Sequence, residues 1–409
     1  MRDLEPLPTD PGSPRLLRAG MLSATLAAAG HETTWFTSTF NHYSRRQRSA
    51  GRLEPGDHLA IEVLPAPGYR RNIGLRRLLH NRRFAREFLR AAERAARLPD
   101  VIVADLPTTD AASAAIGFGR RAEIPTILSI RDLWPDFFAD FMPPLLRPFV
   151  RLGVMPLDRQ ARFACGHADS LIGISEEYLN WGQAKGARRR TELDRVFPLG
   201  FLRPPDASAA ETAGVLERLG VGQGQRIVSF VGSWGATYDL ELVLETARRL
   251  TDRRDIVFVL AGNASERPEL KRAFEALPNT VLPGWLGPDE VAALLGASDV
   301  GLLPYAKNAP QGLPNKVYEY MAYGTYQVAT LTGEAENLYA ETAAGRSIAD
   351  ATPASLAAAI GDVLAAPEIA AARTRRREIF DTRFDARKVY AGMTDHIVEV
   401  AATRAARRG

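Results

Sequence analysis

The chain has 409 residues, of which 46% are hydrophobic and 24% charged, values that exclude wholesale disorder, collagen and a disulfide scaffold. The single cysteine, Cys165, excludes an internal disulfide and a cysteine-based metal cluster and is typical of a reducing compartment. The net charge of +4 gives no reason to expect nucleic acid as a partner.

Short apolar, β-branched runs alternate with helical patterns along the chain. Such alternation predicts βαβ units with parallel sheets, and therefore an α/β fold. The predicted strands are 33–37, 101–105, 126–130, 171–174, 195–198, 227–231, 256–261, 281–282, 300–303 and 326–330. The clearest predicted helices are 15–29, 74–98, 239–250, 288–295, 315–323 and 386–408.

Two stretches interrupt this alternation. Residues 201–214 are rich in proline, alanine and polar side chains and predict a linker between two similar halves. Only residues 1–4 precede a proline- and glycine-rich loop at 5–14, so the first strand is expected to be very short or missing. The charge also divides at this linker, with 30 basic and 22 acidic residues in 1–205 against 22 and 26 in 206–409.

The most informative stretch is 304–319, PYAKNAPQGLPNKVYE, where a strand ends, a loop follows and a helix begins near Pro314. A helix that starts after a parallel strand offers free amides and a positive dipole end to phosphate. Lys316 stands in the first helical turn, where a cation makes sense beside an anion. Glu319 follows one turn later, where a carboxylate could accept two ribose hydroxyls. An ordinary Lys–Glu pair on a solvated helix face is the equally weighted alternative.

Three further loops follow predicted strands or open the chain. Residues 230–239 (FVGSWGATYD) bring glycines and hydroxyls to a strand end, and 129–136 (SIRDLWPD) bring Arg131 and Asp132 to another. The opening loop leads into a helix that Ser13 could cap, with Pro14 at its first position. Taken singly, a plain loop, a salt bridge or a helix cap explains each of them better than a ligand does.

Several motifs are missing from the sequence. It contains no Asp-x-Asp, which argues against a metal–diphosphate site of that kind, and no HExxH or GxSxG. Its six histidines are scattered. No run approaches the ~18 apolar residues of a membrane span, and the N-terminus has no signal-like apolar segment. We therefore expect a cytoplasmic protein that contacts at most the inner face of a membrane.

The ordered set of motifs resembles the retaining GT-B glycosyltransferases of family 4 (group 1). The segments that carry the resemblance are 5–38, SIRDLWPD, FVGSWGATYD, IVFVLAGN, LPGWLGPDEV and GLPNKVYEYMAYG, in the family's order. The resemblance implies two Rossmann-like domains facing across a cleft, an acceptor domain at 1–203 and a nucleotide-sugar domain at 204–385. It also implies that a C-terminal helix at 386–409 crosses back to the first domain.

The resemblance implies transfer of a hexosyl or N-acetylhexosaminyl group from a nucleotide-diphosphate sugar, UDP favoured, to a hydroxyl acceptor, with no metal or other cofactor. Lys316 would stabilise diphosphate charge, Glu319 would bind the ribose, Gln311 the sugar hydroxyls, and Asp132 and Arg131 the acceptor. The other donor-binding residues implied are Gly232, Ser233, Asn263, Trp285, Leu286, Gly312, Leu313 and Pro314, with Gly12 and Ser13 closing over the diphosphate.

Three positions depart from the family's pattern. Gln311 replaces a glutamate, so it can bond sugar hydroxyls without carrying charge. The loop 233–237 lacks the usual cation, which Lys316 and Lys307 would have to supply. Arg131 replaces a common histidine and cannot act as a base, but a retaining transferase can pass the acceptor proton to the leaving phosphate.

The arginine-rich stretch 74–98 and the apolar stretch 137–155 bear on the acceptor. Residues 45–97 hold 14 arginines against five acids. One hypothesis is that this half docks on an anionic membrane to reach a lipid-linked acceptor of polysaccharide biosynthesis. A core helix with a solvated arginine face is comparably favoured, and a soluble natural-product acceptor would then lead.

Two other classes of function remain open. A GT-B-fold epimerase would need acid–base carboxylates and histidines that the sequence does not group together. A catalytically silent homologue that binds nucleotide sugar is compatible with Gln311 and with the missing loop cation.

Overall fold

The computed structural model describes the chain except residues 13–14, 72–73, 137, 139–141, 144, 308, 310–311 and 409, and the side chains of 404–408. The chain divides into two compact units. Unit 1 comprises residues 1–199 together with the C-terminal helix from Arg387 onward, and unit 2 runs from Gly200 to Ala386. No helix within the described ranges is both long and apolar enough to cross a bilayer.

Unit 1 is an α/β unit that opens the chain. Its strands are β1 Thr33–Ser38, β2 Gly51–Gly56, β3 Leu59–Leu64, β4 Ile102–Asp105, β5 Thr126–Ile130, β6 Ser170–Gly173 and β7 Arg195–Val196. Its first five helices are α1 Arg18–Ala28, α2 Leu75–Glu93, α3 Thr109–Arg121, α4 Arg147–His167 and α5 Glu176–Lys185.

The strands of unit 1 form two ladders that residues 1–3 join. The ladders run in the orders β2-β3-β1 and β4-β5-β6-β7, and all neighbours pair in parallel except β2 with β3. The Arg2 amide donates to the Phe36 carbonyl at 3.0 Å, and the Met1 amino group donates to the Val103 carbonyl. Residues 1–3 therefore occupy the place of a central strand between β1 and β4, although they are too few to show a strand pattern.

Unit 2 carries the second sheet. Its strands are β8 Arg226–Val231, β9 Ile256–Ala261, β10 Thr280–Gly284, β11 Val300–Leu303, β12 Tyr326–Ala329 and β13 Gly345–Ser347. Its helices are α6 Ala209–Arg218, α7 Leu240–Arg249, α8 Pro268–Glu275, α9 Pro288–Ala297, α10 Asn315–Ala322, α11 Glu334–Thr342, α12 Pro353–Ala365, α13 Pro367–Ala371 and α14 Arg373–Arg383. The last helix of the chain is α15 Ala386–Arg408.

The six strands of unit 2 are all parallel, in the order β10-β9-β8-β11-β12-β13. Strand β9, IVFVLA, is buried along its whole length because helices cover both faces of the sheet. Phe230, Phe258 and Phe274 fill the core on one side. This arrangement collects the carboxyl ends of β8, β9 and β11, where ligands of open α/β sheets bind.

The structure differs from the sequence-based expectations in three places. Helix α6 begins inside the expected linker, at Ala209, because Ser208 and Glu211 form a reciprocal capping box. Helix α1 begins at Arg18 with Leu17 as its N-cap, so the expected cap by Ser13 was wrong, and Ser13 itself lies outside the described residues. Strands β2, β3 and β13 were not predicted: β2 is exposed along its whole length and β13 has only three residues, whereas β3, LAIEVL, is an apolar run in the middle of its ladder that the sequence-based prediction missed.

Candidate active site

The end of strand β8 is held by the first two turns of helix α10. The Val231 amide donates to the Tyr320 hydroxyl at 3.0 Å, and the Lys316 ammonium donates to the Val231 carbonyl. Lys316 and Tyr320 are four residues apart, so both side chains leave the same face of the helix. The helix N-terminus is thereby fixed against the carboxyl end of the central strand.

Lys316 is a half-buried cation in the first turn of α10. Burial lowers the pKa of its ammonium, and the negative charge of Glu319 opposes that effect. The Nζ of Lys316 lies 5.8 Å from the centre of the Phe230 ring. Within the described part of the chain, no carboxylate forms an ion pair with this ammonium. A desolvated cation beside free helix amides creates a strong local preference for an anion.

Gly232 leaves room for this lysine. A Cβ built on Gly232 would lie 2.9 Å from both Cε and Nζ of Lys316, closer than real Cβ contacts come. The Lys316 side chain therefore rests directly on the backbone that follows β8. Ser233, the next residue, is exposed at the mouth of the same loop.

Glu319 lies one turn after Lys316 and is half-buried. Burial raises the pKa of Tyr238, and the charge of Glu319 adds to that rise. The Tyr238 hydroxyl in turn lies 3.4 Å from the Tyr305 hydroxyl. The carboxylate thus shares one corner of the sheet edge with Lys316 and with the residues that follow β8 and β11.

A cavity of about 490 Å³ opens beside this corner, within the size range of small-molecule sites. Two of the sequence-predicted residues, Asn263 and Trp285, lie on its wall, and Trp285 is 76% exposed. Its full lining is Trp234, Leu260, Gly262, Asn263, Ala264, Ser265, Lys271, Leu282, Gly284 and Trp285. Leu286 does not line this cavity and packs instead in the core with Ile227 and Leu294.

The cavity connects with the Lys316 corner through two closely packed glycines. The Gly232 amide donates to Ala261 and the Trp234 amide to the carbonyl of Asn263, so the β8 and β9 loops run side by side. A Cβ on Gly262 would lie 1.9 Å from the Gly232 carbonyl oxygen, and the φ of Gly262 is +137°. Only glycine fits this approach, so the loop geometry depends on it.

We expect Gly262→Ala to destabilise unit 2 by about 3 kcal/mol or more, because the clash is with backbone and the positive φ adds strain. Chemical denaturation would measure the change in the free energy of unfolding. Gly361→Ala on α12 is the matched control, since a Cβ there meets nothing within 4 Å and alanine is the better helix former by about 1 kcal/mol. A Gly262→Ala protein as stable as this control would contradict the packing described.

The remaining residues that the sequence assigned to donor binding lie on the approach to α10. Pro314 is the N-cap and is buried, and Gly312 and Leu313 before it are half-buried. Gln311, expected on the sugar hydroxyls, lies outside the described residues. Lys307 was expected to add positive charge, but it is exposed and its ammonium is paired with Asp350 at 2.5 Å.

In unit 1, Arg131 and Asp132 directly follow strand β5. Arg131 forms an ion pair with Glu5, a carboxylate that also accepts the Ala19 amide at 2.7 Å near the start of α1. The Asp132 carboxyl is largely buried, and burial raises its pKa to about 6 although Arg2 and other arginines oppose the rise. Gly12, expected over the diphosphate, is exposed with φ +85°.

The pKa of Asp132 gives a pH dependence with a definite sign. Because its pKa in the folded chain is above the ordinary ~3.9, ionisation costs stability as the pH rises through about 6. Asp132→Asn should therefore raise Tm more at pH 8 than at pH 5. If the ionised carboxylate orients the acceptor hydroxyl, kcat/KM should also rise through pH 6 in the natural protein and not in the variant. Equal Tm shifts at both pH values would contradict this assignment.

Several structural residues were not singled out in the sequence. Tyr320, Gly262 and Trp234 shape the donor-side corner, and Glu5 and Arg18 meet Arg131 in unit 1. The glycines at the ends of β8 and β9 were the available signal for the first group. No group of three or more histidine, cysteine or acidic side chains within the described ranges is placed to hold a metal.

Comparison with known proteins follows the division into two units. The family model of the glycosyl transferase 4-like domain matches residues 17–199, and that of glycosyl transferases group 1 matches residues 225–366. No curated protein sequence matches the chain.

Solved structures share the fold over nearly their whole length. HepE from Anabaena in complex with UDP-glucose has a TM-score of 0.61 and 18% identity, with 94% of this chain and 95% of that chain covered. WaaG, a glycosyltransferase involved in lipopolysaccharide biosynthesis, has a TM-score of 0.62 and 15% identity, with 92% and 94% covered. The trehalose 6-phosphate synthase from Burkholderia multivorans has a TM-score of 0.65 and 15% identity, with 95% of each chain covered. The chain therefore belongs to the group 1, family 4 glycosyltransferases and has their GT-B fold.

Proposed function

We propose that this glycosyltransferase moves a sugar from a UDP-sugar to a hydroxyl acceptor with retention of the anomeric configuration. The observation that carries the proposal is the corner of unit 2 where Lys316, Glu319 and the Gly232 backbone meet beside the 490 Å³ cavity. Each of these groups suits one part of a nucleotide sugar. The cavity would hold the base, the Glu319 carboxylate the ribose, and the Lys316 ammonium the diphosphate. HepE, which shares the fold, was crystallised with UDP-glucose and with UDP.

The protein's share of the chemistry is mainly electrostatic. As the bond from the sugar to the diphosphate breaks, negative charge grows on the leaving phosphate oxygen, and Lys316 with the N-terminal amides of α10 stabilises it. The same oxygen takes the acceptor proton as the new glycosidic bond forms on that face, so no protein base is required. Gln311 and the Gly312 backbone would hold the sugar, and Asp132 would orient the acceptor.

Because Lys316 supplies the positive charge, we propose that the reaction uses no resident metal. The sequence lacks the Asp-x-Asp pattern of a metal–diphosphate site. A lysine at a helix N-terminus offers a diphosphate charge-assisted hydrogen bonds in addition to the free helix amides.

Slow transfer to water tests this proposal without knowledge of the acceptor. Proton NMR would follow UDP-glucose with excess enzyme within the first minutes, before the released glucose mutarotates. Retention predicts α-glucose as the first product and the same rate in EDTA. First-formed β-glucose would contradict retention, and a rate lowered more than about tenfold by EDTA would contradict metal independence.

An exposed apolar surface on unit 1 supports an acceptor at a membrane. Phe149 and Leu152 in the first turns of α4 and Leu145 just before it are 72%, 65% and 86% exposed, with Leu146 and Met155 exposed beside them. Arg151 and Arg159 are exposed on the same segment. Large apolar side chains interleaved with arginines are the composition that binds anionic bilayers.

Helix α2 extends this surface at the same end of unit 1. Arg82 of α2 and Gln160 of α4 both contact Asp110 at the start of α3. The residues that precede them therefore project past α3, by about 20 Å for α4 at 1.5 Å per residue. On α2 this projecting part presents Leu75 and Leu79, both exposed. We propose that the two helix ends together dock on an anionic membrane that holds a lipid-linked acceptor.

Flotation with lipid vesicles tests this docking. The natural protein should float with vesicles containing phosphatidylglycerol at ~0.1 M salt and not with pure phosphatidylcholine. Phe149→Ser/Leu152→Ser should reduce the bound fraction about tenfold, whereas Val398→Ser, an exposed residue of α15, should not. If the natural protein stays unbound, docking is wrong and a soluble acceptor becomes the leading hypothesis.

A further inference from the structure

Three arginines meet at the carboxyl edge of the unit 1 sheet, where residues 1–3 lie between β1 and β4. Arg2 belongs to that segment, Arg18 begins α1, and Arg131 follows β5. The strands that follow this segment in the chain lie first on one side of it, beginning with β1, and later on its other side, beginning with β4. Ligands of open α/β sheets bind at such a switch point.

Arg18 is 3% exposed and poorly satisfied. Its Nη1 donates to the Pro198 carbonyl at 3.0 Å, but its Nε and Nη2 have no acceptor among the described residues. Its guanidinium also lies 6.0 Å from the centre of the Tyr390 ring. Burial lowers its pKa, and its position in the first turn of α1 sets its charge against the helix dipole.

Arg2 and Arg131 also have a buried N–H group without a hydrogen-bond acceptor. Arg131 Nη1 donates to Glu5 and Arg2 Nη1 to the Leu106 carbonyl at 3.2 Å, while the Nε atom of each is buried and has no hydrogen-bond acceptor in the described structure. The Arg2 Nε lies 3.6 Å from the nearer Glu5 oxygen, beyond hydrogen-bond length. Glu5 is already engaged by Arg131 and by the Ala19 amide.

Four buried guanidinium donors at one sheet edge therefore lack an acceptor. Buried donors are nearly always paired, and an unpaired one costs about 1–3 kcal/mol, or more when charged. The carboxylates that face the cluster, Glu5, Asp105 and Asp132, leave these four donors unmet. A ligand with several acceptor oxygens and negative charge would satisfy them together. Phosphate has that geometry, and the guanidinium fork matches it.

We propose that Arg2, Arg18 and Arg131 bind a phosphate group carried by the acceptor. That the phosphate belongs to the acceptor rests on the proposed function, whereas phosphate binding by unit 1 does not. The shared chemistry is a phosphate ester, and it can come from a soluble sugar phosphate or from a membrane phospholipid.

Calorimetric titration with inorganic phosphate tests the site directly. Because the Lys316 corner also attracts anions, the titration is run with UDP at saturation, and Lys316→Met should keep the phosphate binding, since the proposed site is not the donor site. Arg18→Gln should weaken phosphate binding at least tenfold and leave UDP binding unchanged. Arg18→Lys keeps the charge but loses the forked guanidinium, so its phosphate affinity should lie between those of the natural protein and Arg18→Gln. Circular dichroism would confirm folding, and Arg2→Gln replaces Arg18→Gln if the latter is unfolded.

Competition identifies the source of the phosphate. A soluble phosphate source predicts that glucose 6-phosphate, and not glucose, displaces inorganic phosphate. A lipid source predicts that vesicles with phosphatidic acid displace it and that pure phosphatidylcholine vesicles do not. Equal phosphate affinity in the natural protein and Arg18→Gln would overturn the proposal, as would UDP binding without any phosphate binding. Loss of phosphate binding in Lys316→Met alone would also overturn it and assign the anion to the donor site. Failure to bind UDP with intact phosphate binding would count against the proposed function instead.

Discussion

Lys316→Met is expected to lower kcat about 10²–10³-fold, the usual effect of removing one preorganised group that stabilises developing charge. Methionine keeps the aliphatic stem that packs on Gly232 and removes the ammonium. Because the charge matters most when the bond to the diphosphate breaks, kcat should fall more than KM rises. Initial rates of UDP release over a range of UDP-sugar concentrations would measure both constants.

The variant also loses the hydrogen bond from Nζ to the Val231 carbonyl, so a stability control is needed. That loss should cost about 1.5–3 kcal/mol, because the donor is charged, which is too little to unfold unit 2. Lys388→Met, on an exposed position of α15, is the matched control and should retain normal kcat. A Lys316→Met enzyme with kcat within threefold of the natural one would show that the charge on the diphosphate is stabilised elsewhere.

Glu319→Ala should reduce kcat/KM by at least about 100-fold and come close to abolishing transfer. Two hydrogen bonds from ribose hydroxyls to a carboxylate are worth about 1.5–3 kcal/mol each, and alanine removes both acceptors. Glu319→Gln keeps one acceptor oxygen, so its loss should be intermediate. Steady-state rates at subsaturating UDP-sugar would rank the three proteins.

Glu336→Ala provides the comparison for this variant, since Glu336 is an exposed carboxylate in the first turn of α11. It should leave kcat/KM unchanged. Near-normal turnover by Glu319→Ala would refute the assignment of Glu319 to the ribose. Equal losses in the alanine and glutamine variants would indicate that its charge, acting on Lys316, matters more than its hydrogen bonds.

Local pattern was enough to predict the elements that carry the proposed donor site. Strand β9 is a continuous apolar run because both faces are covered, and the strand–loop–helix order around 304–319 placed Lys316 and Glu319 on the first turns of one helix. The capping box at Ser208 was also readable, but the polar composition around it predicted a linker instead.

Pairwise contacts far apart in the chain could not be predicted in the same way. Arg131 and Glu5 are 126 residues apart, and their ion pair exists only because residues 1–3 bring the opening loop to the edge of β5. The hydrogen bond from the Val231 amide to the Tyr320 hydroxyl likewise depends on the packing of α10 against β8. Trp285 and Leu286 are neighbours, yet one lines the cavity and the other packs in the core, and spacing alone does not distinguish their directions.

The central claim is that the corner formed by Lys316 and Glu319 binds a nucleotide sugar. Calorimetry with UDP-glucose, UDP-N-acetylglucosamine, GDP-mannose and TDP-glucose tests it most directly, using the natural protein and Glu319→Ala side by side. We predict saturable binding of UDP-sugars by the natural protein and at least a 100-fold weaker affinity in the variant. No binding of any nucleotide sugar by the folded natural protein, or equal binding by Glu319→Ala, would contradict the claim.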